Sequence, residues 1–119
     1  MAGRDGWVTG ISMAAGLLAA TSGLAQPAGD PATGGRIAAA WCSNCHLIGP
    51  PAAPLAQDAA PPFTAIAQRP GMTQAALRAF LQAPHASMPD YNLTPRQQED
   101  VTAYLLGVAA AEAQRSRSK

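Results

Sequence analysis

The ten residues WCSNCHLIGP, 41 to 50, contain both cysteines of the chain and one of its two histidines. Crowding Cys42, Cys45 and His46 into five positions suits three chemistries: a dithiol redox site, a metal-ion site, or covalent attachment of haem. A stabilising disulfide explains the cluster poorly, because closing so small a loop removes little entropy from the unfolded chain. The residues on either side decide among the three.

Upstream, MAGRDGWVTG carries Arg4 offset by Asp5, the apolar run ISMAAGLLAA follows, and TSGLAQ supplies the small residues Gly23 and Ala25. That order is the order of a secretory signal peptide over residues 1–25, cut between Ala25 and Gln26. The alternative is an uncleaved segment that anchors the protein to the membrane. Val8 to Ala25 spans 18 residues interrupted by Gly, Ser and Thr, barely the length of a span. The expectation is export to a bacterial periplasm, one domain over 26–119, and no membrane span once the signal is removed.

Residues 26–119 hold seven Arg/Lys and six Asp/Glu. This balance offers no basic field for nucleic acid and no acidic tail. Ala, Gly and Pro are abundant and large apolar side chains few. A domain of under about 100 residues with so thin a core is marginal unless something staples it or fills it.

Periodicity and caps predict three helices and no strand, an all-α fold. The first covers 31–45, with Asp30 as N-cap and Pro31 at the first helical position. Gly34, Gly35 and Ala38 on it allow another backbone to approach. A loop rich in Pro and Ala follows, which its prolines keep out of helix and sheet, and then FTAIAQ as a short helical turn. The second helix, TQAALRAFLQ, is capped by Thr73 and halted at Pro84; Leu77, Phe80 and Leu81 share one face while Gln74, Arg78 and Gln82 point the other way. The third begins at Thr94 and Pro95 with a capping box to Gln97, and places Val101, Tyr104, Leu105 and Val108 within about a 100° arc. The polar tail, 111–119, is expected to fray.

On a continuous helix Cys45 lies about 60° to one side of Cys42 and His46 about 40° to the other, so all three project from one face. Two thiols a turn apart can bond to two neighbouring vinyl groups of a porphyrin, and the histidine can reach its iron. A zinc site needs four ligands, which these three with His85 only just supply. A thioredoxin-like pair needs no histidine here and sits in a βαβ frame that the chain lacks. In an exported chain, C-x-x-C-H therefore reads as haem attachment. Three residues could close the far side of the iron: Met72, His85 and Met88. Met88 lies in APHASMPDYNLT, a loop fixed by Pro84 and Pro89, which can lay a flexible thioether across a haem face; this makes it the expected ligand over a gap-filling role.

With these residues in place the chain resembles a small class I c-type cytochrome, over nearly all of 26–119. Cys42, Cys45 and His46 match the attachment motif, LRAFLQAP the helix before the methionine loop, SMPD the axial-methionine segment, and EDVTAYL the C-terminal helix with Tyr104 as the aromatic that crosses the N-terminal one. The resemblance implies three main helices and loops wrapped around one covalent haem c, with His46 and Met88 as axial ligands. It implies too that the Pro61 carbonyl accepts a hydrogen bond from His46, and that Trp41, Ile66, Leu77, Phe80 and Leu81 pack on the haem. Phe80 departs from the tyrosine of mitochondrial relatives. No match for propionate-binding residues is evident beyond Trp41 and Arg69.

Two protein ligands leave no open coordination position, so the expected function is one-electron transfer between Fe(III) and Fe(II), not enzyme catalysis. The expected partners are redox proteins such as an oxidase, reductase, dehydrogenase or cytochrome complex, served by a monomer. Alternatives are a dedicated haem subunit of one redox enzyme, or a gas-binding or peroxidatic protein with a labile Met88.

Overall fold

The computed structural model describes residues 28–49, 60–83 and 87–119. The segment expected to be a signal, most of the Pro/Ala loop, and Pro84 to Ala86 with His85 lie outside the described residues. Four α-helices run in the order α1 (Pro31–Ile37), α2 (Phe63–Ala67), α3 (Gln74–Gln82) and α4 (Pro95–Arg117), with a π-helical turn over Ala38–Cys42 continuing α1. No strand occurs among the described residues, and none of their helices is long and apolar enough to cross a membrane. The fold is all-α.

The starts of α1, α3 and α4 each follow a side-chain cap. The Asp30 carboxylate accepts from the backbone N–H of Ala32 and Thr33 and from the Thr33 hydroxyl. Thr73 Oγ1 accepts from Ala76 N–H at 3.1 Å. At α4, Thr94 Oγ1 accepts from Gln97 N–H at 3.2 Å while Gln97 Oε1 accepts from Thr94 N–H at 2.9 Å, closing the capping box. The Thr33 hydroxyl and the Ala32 amide hold the Asp30 carboxyl below its ordinary 3.8. A carboxyl whose folded pKa is depressed stabilises the fold above its unfolded pKa and loses that effect as pH falls through the folded value. Asp30→Ala should therefore lower the urea midpoint at neutral pH, and its difference from wild type should shrink toward zero as the pH falls below about 4.

The N-terminal segment lies directly on the backbone of α4. A Cβ at Gly34 would stand 1.9 Å from the Asp100 carbonyl oxygen, and one at Gly29 (φ +108°) 2.4 Å from that of Glu99. Gly35 faces the Tyr104 ring, and Ala38 is fully buried. The crossing predicted from Gly34, Gly35 and Ala38 is thus the one observed. Asp100, almost fully buried, locks it: its Oδ1 accepts from Asp30 N–H at 2.7 Å and lies 3.3 Å from Arg96 Nε.

Two expectations about helix length fail. The first helix does not stay α-helical to Cys45: Ser43 N–H bonds to the Ala38 carbonyl five residues back, the signature of a π turn, and the Ser43 hydroxyl takes the Ala39 carbonyl at 2.7 Å. The tail does not fray early either, since α4 continues to Arg117. An alanine-rich stretch without a breaker, an Arg115–Glu112 pair at 2.6 Å, and Arg115 and Arg117 at the negative end of the helix dipole all favour this.

The polar face of α3 docks by hydrogen bonds, while Leu77 from its other face is buried in the core. Gln74 Nε2 donates to the Glu99 carbonyl (3.2 Å), Thr102 Oγ1 (3.1 Å) and the Ala28 carbonyl, while Gln74 Oε1 accepts from Ala28 N–H (2.9 Å). Arg78 lies 3.6 Å from Glu99, and Gln82 Nε2 donates to Gln98 Oε1 at 3.0 Å. Buried Gln98 and Thr102 are therefore explained: α4 is covered by α1 and α2 along its apolar stripe and by α3 along a polar one. The rest of the apolar face of α3, with Phe80 and Leu81, is left to look elsewhere.

Candidate functional site

That face lines a pocket of about 250 Å³, to which Leu77, Phe80 and Leu81 contribute from α3. Amphipathicity that usually drives a helix onto the protein core here drives part of it onto a cavity. Val101, Thr102 and Leu105 of α4 and Phe63 and Ile66 of α2 complete that side. The other walls are the end of the π turn with the segment after it, and the loop between α3 and α4.

Beyond Cys42 the chain makes a tight turn, with Cys45 N–H and His46 N–H both bonded to the Cys42 carbonyl (3.1 and 2.9 Å). The His46 bond is the i−4 bond of an α-helical turn and the Cys45 bond its tighter i−3 counterpart, so this turn preserves the spacing by which a helix brings the three side chains together. Trp41, Cys42, Cys45 and His46 all line the pocket. His46 Nδ1 lies 2.7 Å from the Pro61 carbonyl oxygen, and a hydrogen bond between them makes Nδ1 the donor. Nε2 is then the nitrogen with a free lone pair, the form in which imidazole binds metals. Phe63 N–H bonds to the Leu47 carbonyl at 3.0 Å, tying α2 to the strand of chain after the cysteines and so fixing Pro61 opposite the imidazole. The rings of His46 and Phe63 stand 5.6 Å apart.

The two cysteines are unpaired thiols, Cys42 half-buried and Cys45 exposed. Burial pushes the Cys42 thiol up to about 11. Redox motifs of the thioredoxin kind need the opposite, a thiol with a lowered pKa. Among the described residues no three His, Cys, Asp or Glu side chains gather as a metal-ion site. The donors present are two thiols, one imidazole and two thioethers around an apolar cavity, a set that suits a flat apolar group carrying a soft metal centre.

Every described residue singled out from the sequence as a contact to haem or iron reaches this pocket: Pro61, Ile66, Arg69 and Met88 line it along with those already named. Met72 does too, while also packing against the core cluster of Ala38, Phe63, Leu77 and Leu105. Tyr91 is one lining residue that sequence reasoning missed. Its ring stacks on Trp41 with centroids 5.8 Å apart and planes 6° from parallel, and it lines the pocket. A lone aromatic in an irregular loop carries no periodicity that could have revealed its partner fifty residues upstream.

No protein family's sequence profile matches the chain, and no solved structure matches it. It is similar to cytochrome c-552 of Bradyrhizobium diazoefficiens, at 33% identity over 89 residues that cover 75% of this chain and 85% of that protein. The all-α fold, the apolar pocket and the two neighbouring thiols beside a histidine agree with that likeness, and the chain belongs to the c-type cytochromes.

Proposed function

We propose that this protein is a periplasmic one-electron carrier holding a single haem c, exported by its N-terminal signal and passing electrons between redox-protein partners. The observation that carries the reading is the convergence of Cys42, Cys45, His46 and Met88 on one apolar pocket. In this reading Cys42 and Cys45 would hold the haem through thioether bonds, and His46 Nε2 and Met88 Sδ would bind its iron. Haem c, when bound, supplies an iron that accepts and gives up one electron.

The remaining work falls to the chain. The Pro61 carbonyl orients His46 and, by accepting its N–H, makes the imidazole a stronger donor. Leu77, Leu81, Ile66 and Leu105 exclude water, which disfavours the more highly charged oxidised state. Met88 adds a soft sulfur that favours Fe(II), so the pair of effects raises the potential. Arg69 is the cation on the pocket lining among the described residues, and as such the candidate partner for a propionate.

The test is Met88→Ala. The ferric wild type should show the weak red absorption of a thioether bound to iron, and Met88→Ala should lose it. Its midpoint potential should fall by on the order of 0.1 V or more, within the roughly 0.8 V that axial ligands span. Met72→Leu and His85→Ala should keep both properties. Loss of the band in Met72→Leu would transfer the role to Met72, and its absence from wild type would favour His85 or an open site.

A formal net charge of only +1 gives no strong steering field and favours a second reading, a dedicated haem subunit of one redox enzyme. Gel filtration of native extract separates the two, since a carrier elutes near its own mass and a subunit with its enzyme.

A further inference from the structure

Trp41 immediately precedes Cys42, and Tyr91 follows Met88 by three residues. Their stack is thus a contact across the pocket between the segment that bears the cysteines and the loop that bears Met88. The far end of that loop is fastened by other means. Asn92 adopts a left-handed conformation (φ 50°) with its N–H bonded to Asp90 Oδ1 at 2.8 Å, and the Leu93 carbonyl accepts from Gln98 Nε2 at 3.1 Å. Gln98 in turn accepts from Gln82 at the end of α3. These bonds tether the loop to α3 and α4. They do not join it to the segment of Cys42 and His46, and the two rings do.

We propose that the stacked rings of Trp41 and Tyr91 are a latch that holds the Met88 loop closed over the pocket and so sets how readily an outside ligand displaces Met88. The inference rests on Met88 being the sixth ligand. An outside ligand binds only when the loop has opened, so its apparent affinity scales with the open fraction. Removing a contact made only in the closed loop raises that fraction by the Boltzmann factor of the contact. Trp41 and Tyr91 are positioning residues in this account, acting through Met88.

The experiment is titration of the ferric holoprotein with imidazole, followed by its absorption spectrum. Tyr91→Leu and Trp41→Leu should each bind imidazole more tightly by about three- to ten-fold, the scale of one aromatic pair. Tyr91→Phe, which keeps the ring, should bind as wild type does. The Trp41→Leu/Tyr91→Leu double variant should be no tighter than the stronger single one, because both remove the same contact. Met88→Ala is the control for the ligand itself. If it binds imidazole no more tightly than wild type, Met88 is not the ligand and the premise fails. If Met88→Ala binds more tightly but Tyr91→Leu matches wild type, the ligand stands and the latch is wrong. Additive effects in the double variant, or a Tyr91→Phe that behaves like Tyr91→Leu, would likewise overturn it.

Discussion

Gly34→Ala is expected to be among the most damaging single-methyl additions this protein can receive, lowering stability by on the order of 3 kcal/mol, the upper part of the usual range for overpacking. The new Cβ would lie 1.9 Å from the Asp100 carbonyl oxygen, 2.4 Å from its carbon and 2.9 Å from Val101 N. All three are backbone atoms of α4, so no rotamer change relieves the clash and the helices must part. Parting them stretches the Asp30 N–H bond to buried Asp100, and it moves the start of the segment that ends in Cys42. Gly35→Ala is the matched control. Its Cβ would meet Tyr104 ring atoms at 3.1 and 3.2 Å, where a side chain can yield by a few tenths of an ångström. It should cost less than about 1.5 kcal/mol. Urea unfolding of the two holoproteins measures the difference, and equal stability for both would mean that α1 and α4 do not cross as described.

The Cys42→Ala/Cys45→Ala double variant should lose most of its helical circular dichroism at 25 °C. The buried apolar residues among those described are Ala38, Phe63, Leu77, Val101, Ala103 and Leu105, two of them alanines. Leu77, Val101, Leu105 and Phe63 also line the pocket, so much of this core is shared with whatever occupies it. Isolated helices of the length of α1 and α3 are marginal in water, and without a tethered group to pack on they lack a reason to stay folded. Native-level helicity in the double variant would show that the polypeptide core suffices alone.

How much of this could be read from the residues follows a physical divide. Local signals were legible: Asp30, Thr73 and the Thr94–Gln97 box each satisfy orphan N–H groups within three residues, and proline and glycine act through their own backbone. The small face of Gly34, Gly35 and Ala38 announced a close crossing because such a gap has few other uses. Pro61 opposite His46 came from resemblance, and the 2.7 Å contact is what that resemblance implies. Non-local events were not legible. The π turn at Ala38–Cys42 depends on Ser43 competing for the Ala39 carbonyl, and α3 docks through its glutamines as well as through buried Leu77, while Phe80 of the same apolar face stays exposed. The Trp41–Tyr91 stack depends on where the π turn and a distant loop end up. The end of α4 was misjudged for another reason, since polarity argues for solvent exposure but not against helix, and Ala, Glu, Gln and Arg are good helix formers.

Covalent haem at Cys42 and Cys45 is the claim on which the rest depends, and one mass measurement addresses it. Protein made in a host with haem-maturation machinery should be denatured, extracted with acid acetone and weighed. The polypeptide should keep its colour, exceed its sequence mass by one haem, and present no thiol to an alkylating reagent. A colourless polypeptide of sequence mass with two alkylatable thiols would contradict the account.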